Sequence, residues 1–363
     1  MDNQYSNQWY ESLARDLKSG AKAPEAPSVP PVSSAAAVPD TAPIDFTDSL
    51  AGDGFVDVPE VPAEPVAEPK SKKKNKKKKK SDPLTNVILA LSICIFLGSA
   101  GFLAYKYIYE PIKVANSLNG VVSDDDHGVQ AAEGGIWQNE QPAEEERNAD
   151  GILKKYEKAL SENSDTVGYI QVPNTPIKYA VTQTTDNSYY LTHTFAKEYN
   201  AAGNPFLDSN NVVGPNGELS KCSIIYGHHR RNGTMFAKLK NYDDVEFYKQ
   251  NPVIQFDTIY DPGEWVVFAD FRATTNSTTG KIFDYMKYDF KDDKSFMDFV
   301  TAIQKRSYFT TPVEVNANDK ILLLSTCSYE KQYWRMVIAA RKVRDGEVID
   351  VRTAEKNLNV LWP

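Results

Sequence analysis

A cysteine at the end of an apolar run is the residue in this sequence best suited to nucleophilic chemistry. The run Ile321–Leu324 is continuously aliphatic and predicts a short strand buried on both faces, after which Ser325 and Thr326 lead to Cys327. A thiol is only a few per cent ionised at neutral pH unless a positive partner stabilises the thiolate. Arg335 opens the next apolar run and is the candidate cation.

A histidine occupies the matching position after a second aliphatic run. The run Ser223–Tyr226 is followed by Gly227 and His228, and a glycine without a Cβ lets the backbone turn there and direct the imidazole. If the two strands bring these ends to one rim, a thiol, an imidazole and a guanidinium can converge. Cys222 lies six residues before His228, about 20 Å away along an extended strand. It can then neither be the nucleophile nor reach Cys327 for a disulfide, which needs Cα atoms within about 7 Å.

Many short strands with few helices must position these side chains. The absence of alternating strands and helices argues for a barrel or a sandwich. An amphipathic helix is expected around residues 152–160, another near 234–239 and a stronger one at 295–306. The predicted strands are Val167–Val172, Ile177–Val181, Asn204–Leu207, Ser223–Tyr226, Val253–Phe256, Glu264–Thr274, Lys320–Ser325 and Arg335–Val343.

The first third of the chain predicts a membrane anchor. Leu84–Tyr105 is free of charged residues and long enough to cross a hydrocarbon core of about 30 Å, and nine lysines lie directly before it within Lys70–Lys80. Positive charge stays cytoplasmic, so the N-terminus is expected inside the cell and the rest outside, with the lysines also contacting anionic lipid. The expected division is a disordered cytoplasmic tail at 1–81, a transmembrane helix at 82–107, an extracellular stalk at 108–148 and a catalytic domain at 149–363.

Composition excludes several other functions. The net charge of −8 over 363 residues and the confinement of the lysine run to the membrane flank argue against nucleic acid as a partner. No glycine-rich phosphate loop or Cys-x-x-Cys pair occurs, so neither a nucleotide cofactor nor a metal is expected. The cluster Asp124–His127 lacks the spacing that converges metal ligands and is interpreted as a solvated linker.

Five short motifs follow one another along the chain. They are Thr166–Pro173, Tyr189–Phe195, Phe206–Asp208, Ile-Tyr-Gly-His228 followed by Asn232-Gly-Thr-Met-Phe236, and Ser325-Thr-Cys327 with the arginine after it. This ordered set resembles the sortases, and within them class B, and the resemblance covers about residues 146–345.

The resemblance implies a closed β-barrel of about eight strands and a cysteine transpeptidase, of the thiol peptidase type, on the outer face of a Gram-positive cell membrane. Cys327 would attack a sorting signal after its threonine to form a thioester. His228 would act as general acid and base, and Arg335 would stabilise the oxyanion. Tyr226, Ser325 and Thr326 would line the peptide groove. The partners implied are sorting-signal peptides and an amine from cell-wall precursor or a pilin, and no cofactor.

Two alternatives remain open from the residues. An extracellular cysteine peptidase would use the same thiol and imidazole but release its acyl group to water, and such folds usually orient the imidazole with Asn or Asp. A non-enzymatic anchored scaffold would need neither side chain.

Overall fold

The computed structural model describes residues 83–109, 129–138 and 146–363. The predicted tail, the lysine run and the Asp124–His127 cluster lie outside these residues.

One apolar helix precedes all the described strands. Helix α1 spans Pro83–Ala104 and is followed by a π-helical turn at Tyr105–Tyr109. Within it, Asn86–Ala104 has a mean hydropathy of 2.4 and none of its surface is buried by protein. By length and composition this helix can cross a membrane.

The remaining elements form one barrel with small additions. In the described residues the helices are α2 at Glu157–Glu162, α3 at Val245–Gln250 and α4 at Asp293–Gln304. Turns of 3₁₀ helix span Lys154–Tyr156, Tyr189–Leu191 and Phe236–Asp243. The strands are β1 Ile136–Gln138, β2 Thr166–Gln171, β3 Lys178–Thr182, β4 Phe206–Leu207, β5 Cys222–Tyr226, β6 Val253–Thr258, β7 Glu264–Thr274, β8 Phe309–Thr310, β9 Ile321–Cys327, β10 Trp334–Lys342, β11 Val348–Asp350 and β12 Glu355–Lys356.

Eight strands close the barrel in the order β10-β7-β6-β2-β3-β4-β5-β9, with β9 pairing back to β10. The pairs β3–β4 and β5–β9 are parallel and the others antiparallel. The mostly β, closed-barrel fold is therefore confirmed, and each predicted strand corresponds to a barrel strand. The aliphatic runs of β5 and β9 are buried on both faces, as parallel neighbours inside a covered sheet require.

The helices stabilise the outside of this barrel. Helix α4 begins with a capping box between Asp292 and Ser295, which satisfies backbone donors at its first turn. Its apolar face buries Phe296, Phe299 and Ile303. The predicted helix near 234–239 forms as 3₁₀ helix instead, and the one expected around 152–160 divides into a 3₁₀ turn and α2.

The N-terminal side of the barrel differs from the expected boundary. Residues 108–148 were predicted to form a stalk, yet within them β1 pairs antiparallel with β11, placing Trp137 opposite Ile349. Both side chains are buried. A three-residue strand gives no period that a sequence pattern can show, so this pairing was missed.

Candidate active site

Cys327 ends β9 and is the one half-buried residue of a strand whose other six residues are buried. The next strand, β10, runs back beside it, and Arg335 lies directly opposite Cys327 in the register. Directly opposed residues of an antiparallel pair project to the same face of the sheet. The thiol and the guanidinium, which is 4% exposed, therefore share one face.

His228 reaches the same end of the barrel from the other side of β9. Strand β5 is parallel to β9, with Tyr226 paired to Ser325, and the Gly227 N–H donates to the Ser325 carbonyl at 3.1 Å. The register therefore carries His228 to the level of Cys327. The structure brings the backbones of the three predicted catalytic positions together at one end of the barrel.

A backbone carbonyl holds the imidazole of His228. Its Nε2 lies 2.8 Å from the carbonyl oxygen of Leu191, in the 3₁₀ turn at Tyr189–Leu191. Because a carbonyl only accepts, this bond assigns the proton of the neutral ring to Nε2. Nδ1 is then the nitrogen that carries no proton in the neutral ring.

Two glycines make room for this arrangement. A Cβ on Gly227 would lie 2.6 Å from the ring of Phe236. Gly203 has a φ of +63°, and a Cβ there would lie 2.5 Å from the Tyr190 carbonyl oxygen and 3.1 Å from Cδ2 of His228. The histidine is therefore packed against backbone on one side. Sequence reasoning found Gly227 but had no signal for Gly203 or Leu191.

Burial keeps the thiol and the imidazole uncharged at neutral pH. It raises the pKa of the Cys327 thiol, and the positive charge of Arg335 opposes part of that rise. Burial also lowers the pKa of His228 to about 4; the bond to Leu191 opposes this and the charge of Arg230 adds to it. Such a pair can exchange a proton within the site, and Arg335 favours the thiolate product of that transfer.

The neighbouring histidine contacts the backbone of Cys327. Nδ1 of His229 donates to the Cys327 carbonyl at 3.0 Å, and the Tyr329 hydroxyl donates to the His229 carbonyl at 2.5 Å. Their rings meet edge to face at 4.4 Å. His229 thus links the segment after β5 to the end of β9.

The three residues predicted to line a peptide groove are all buried. The Tyr226 hydroxyl donates to Asp208 at 2.8 Å, and the Ser325 and Tyr285 hydroxyls lie 2.9 Å apart. Thr326 lies opposite Met336, and alternation along β9 places it on the other face from Cys327.

The cysteines are all free, and each lies in the described ranges. Cys222 is buried opposite Ile321, at the other end of the strand pair from Cys327. Among the described residues no three His, Cys, Asp or Glu side chains converge as a metal site.

Comparison with known proteins gives the family. Over 183 residues the chain is 36% identical to sortase B of Listeria monocytogenes, a match that covers 50% of this chain and 71% of that relative. The chain belongs to the sortase family. A profile of the sortase domain matches residues 170–343, which contain Cys327, His228 and Arg335. Sortase B of Staphylococcus aureus is 29% identical over 200 residues, covering 54% of this chain and 78% of that protein.

Solved sortase structures share the barrel. A sortase B from Bacillus anthracis in complex with AAEK1 superimposes with a TM-score of 0.53 at 27% identity, covering 66% of this chain and 99% of that one. A second structure, similar to sortase B and from the same organism, also has a TM-score of 0.53, at 29% identity over 65% and 97% of the two chains. This sortase is therefore a transpeptidase of the class B type.

Proposed function

We propose that Cys327 is the nucleophile of this transpeptidase, with His228 as its general acid and base and Arg335 as its oxyanion donor. The observation that carries the proposal is the register at one end of the barrel. Arg335 is paired with Cys327 across β9 and β10, and His228 follows the parallel strand on the other side. Three chemical groups suited to acyl transfer would thus meet at one rim.

In the first half-reaction the sulfur of Cys327 attacks the carbonyl carbon of a peptide bond, and its proton passes to Nδ1 of His228. The carbonyl oxygen gains the negative charge and accepts hydrogen bonds from Arg335. The C–N bond then breaks, and the imidazolium returns its proton to the leaving amine. The product is a thioester on Cys327 together with a released C-terminal peptide fragment.

In the second half-reaction an amine replaces the sulfur. The amine nitrogen attacks the thioester carbon while His228 accepts its proton, and the C–S bond breaks to give a new amide. The sulfur regains a proton from the imidazolium. Water in place of the amine would give hydrolysis, so the acceptor determines whether the product is ligated or cleaved.

We assign the substrates and the location by family resemblance together with α1. The peptide would be the C-terminal sorting signal of a surface protein, cleaved after its threonine, and the amine would come from cell-wall precursor or a pilin. Helix α1 would anchor the chain by a single pass, with the lysine-rich N-terminus in the cytoplasm and the barrel outside. The domain limits predicted from sequence belong to the same proposal, with β1 added to the catalytic domain.

The groove for the peptide would run along the rim near Cys327. Tyr226 and Ser325 lie beneath that rim with hydroxyl partners of their own, so they would support the wall of the groove from below. Thr326 would act through the shape of β9, since its side chain is on the opposite face.

The test uses the full-length chain in detergent micelles with LPxTG-like and NPxTx-like peptides, with and without triglycine. Product masses should show the thioester on Cys327 and, with triglycine, a ligated peptide formed faster than the hydrolysed one. Cys327→Ala should abolish both products, and His228→Ala should lower kcat by about 10²–10⁴-fold. Cys222→Ala is the matched control, because it removes a buried thiol at the far end of the same strand pair.

Two results would contradict this proposal. Turnover in Cys327→Ala would exclude it as the nucleophile. Cleavage that triglycine neither accelerates nor diverts would make the chain a peptidase. The topology has a separate readout: a membrane-impermeant maleimide added to intact cells should reach Cys327 only if the barrel is outside.

A further inference from the structure

A buried arginine lies behind the candidate active site. Arg272, on β7, is 2% exposed and pairs with Met336 of β10, one position along from the pair Ala273–Arg335. Alternation therefore sends the side chains of Arg272 and Arg335 to opposite faces of the sheet. The proposed mechanism leaves Arg272 without a part in the chemistry.

Three carboxylates converge on this guanidinium. Its Nε lies 3.0 and 3.1 Å from the two oxygens of Glu330, and an Nη atom donates to Glu330 at 2.9 Å. The other bonds reach Asp243 at 2.6 Å and Asp270 at 2.8 Å. The ring of Tyr308 covers the guanidinium at 4.4 Å. A fork of this kind fixes orientation as well as charge.

Two of these carboxylates belong to the segments that carry the reactive side chains. Glu330 is in the six-residue loop between β9 and β10, and Asp243 ends the 3₁₀ helix Phe236–Asp243 that follows His228. Asp270 is on β7 itself and is wholly buried. Arg272 therefore joins the loop after the thiol to the helix after the imidazole.

The loop that contains Glu330 ends at a residue with a strained backbone, which its surroundings must hold in place. Tyr333, just before β10, has a φ of 64°, a left-handed conformation that a bulky residue adopts only where its surroundings impose it. The Tyr333 carbonyl accepts from the Thr275 N–H at 3.2 Å, and the Lys331 ammonium donates to the Thr279 carbonyl at 2.8 Å. Glu330 forms the ion pair that joins this loop to the buried Arg272.

The cluster around Arg272 also affects the pKa values of its neighbours. Burial raises the pKa of Asp270 well above its usual range, against the opposing charge of Arg272. Asp270 lies on the same strand as Arg272, so the links to other segments run through Glu330 and Asp243. The cluster also reaches the site electrostatically. The pKa of His229 is lowered, first by burial and then by Lys240 and Arg272, while Asp243 raises it.

We propose that Arg272 is a positioning residue that holds the Cys327–Arg335 loop against the segment following His228, through its fork to Glu330 and its bond to Asp243. The inference rests on the proposed function, because it concerns the mutual placement of those same side chains. A displacement of about 1 Å at reacting atoms can cost on the order of a hundredfold in rate. We call the contacts of Arg272 with Glu330 and Asp243 the clamp. Loss of the clamp is therefore expected to change kcat more than KM.

The central variant is Glu330→Gln, which keeps the size of the side chain and removes its charge. Its matched control is Glu347→Gln. Glu347 accepts a fork from Arg341, which is 1% exposed and on β10, but that pair lies at the other end of β9 and β10, where Arg341 is opposite Ile321. Each variant disrupts the ion pair between a carboxylate and one buried arginine of the same sheet.

The measurements use the full-length chain in detergent, below the melting temperatures of all the variants. Glu330→Gln should lower kcat for triglycine ligation by about tenfold or more with KM changed less than about threefold. Glu347→Gln should leave both parameters within about twofold of the parent. Arg272→Lys keeps the charge but not the fork, so it should behave like Glu330→Gln.

Hydrogen–deuterium exchange gives a readout independent of catalysis. Glu330→Gln should speed amide exchange in its own loop and also in Phe236–Asp243, which its side chain reaches through Arg272. Increased exchange in both segments without turnover in the parent would support the clamp and contradict the proposed function. Unchanged exchange in Phe236–Asp243, or equal kcat values for Glu330→Gln and Glu347→Gln, would overturn the clamp. If Glu330→Gln does not fold, Asp243→Asn tests the same link from its other end.

Discussion

Replacing His228 by glutamine should change how the stability of the barrel depends on pH. The pKa of this imidazole is about 4 in the folded chain, lowered from 6.5 mainly by burial. Between these values the unfolded chain binds a proton that the folded chain does not, so stability falls as the pH falls. At pH 7 the effect is nearly absent. At about pH 5 it amounts to about 2 kcal/mol, obtained by integrating the difference in proton binding between the two states.

Glutamine does not titrate. Between pH 7 and about pH 5 the free energy of unfolding of His228→Gln should therefore fall by about 2 kcal/mol less than that of the parent. For a domain of this size that corresponds to about 4–8 °C in Tm. The assay is thermal unfolding of both full-length proteins in the same detergent at the two pH values. Burial raises the pKa of Glu264 to about 7, so this residue stabilises the fold as the pH falls. Its contribution is the same in both proteins and cancels in the comparison. Parallel losses of Tm would refute the assignment of a buried, neutral imidazole.

Two further predictions concern the thiol and the backbone beside the imidazole. Arg335→Gln removes the charge that opposes the raised pKa of Cys327, so the midpoint of iodoacetamide alkylation should move to higher pH; an unmoved midpoint would contradict this. Gly203→Ala should destabilise the fold by about 1–3 kcal/mol and lower kcat, because its Cβ would displace the carbonyls that hold His228. Gly151→Ala is the control, because Gly151 has a φ of +77° and an added Cβ there would have nothing within 4 Å. It should show the effect of backbone strain alone, and a loss of kcat equal to that of Gly203→Ala would contradict the second prediction.

The barrel could be predicted because its strands have strong local signals. The aliphatic runs of β5 and β9 and the long, largely apolar run of β7 are bounded by turn residues such as Pro262 and Gly263. The pairs β1–β11 and β8–β12 involve three and two residues a side. Strands that short have no period, and their pairing depends on partners distant in sequence, which local patterns do not specify.

The candidate site, too, could be predicted from the sequence only in part. Cys327, His228 and Arg335 could be singled out because each ends or begins an apolar run, and strand ends are where a reactive side chain can leave a buried sheet. The carbonyl of Leu191 had no signal, because every residue carries one. Arg272 was missed because it interrupts a run that reads as an ordinary strand, and its role depends on two acidic side chains from other segments.

The parallel pairing of β5 and β9 determines when the site can exist. The two strands are about a hundred residues apart in sequence, whereas β9 and β10 are joined by one short loop. Contacts between distant parts of a chain form late in folding because their loop-closure entropy must be overcome first. A chain newly delivered to its working compartment would therefore have its sulfur and guanidinium side by side before the imidazole arrives. Closure of the barrel would be the step that turns an inert polypeptide into an enzyme.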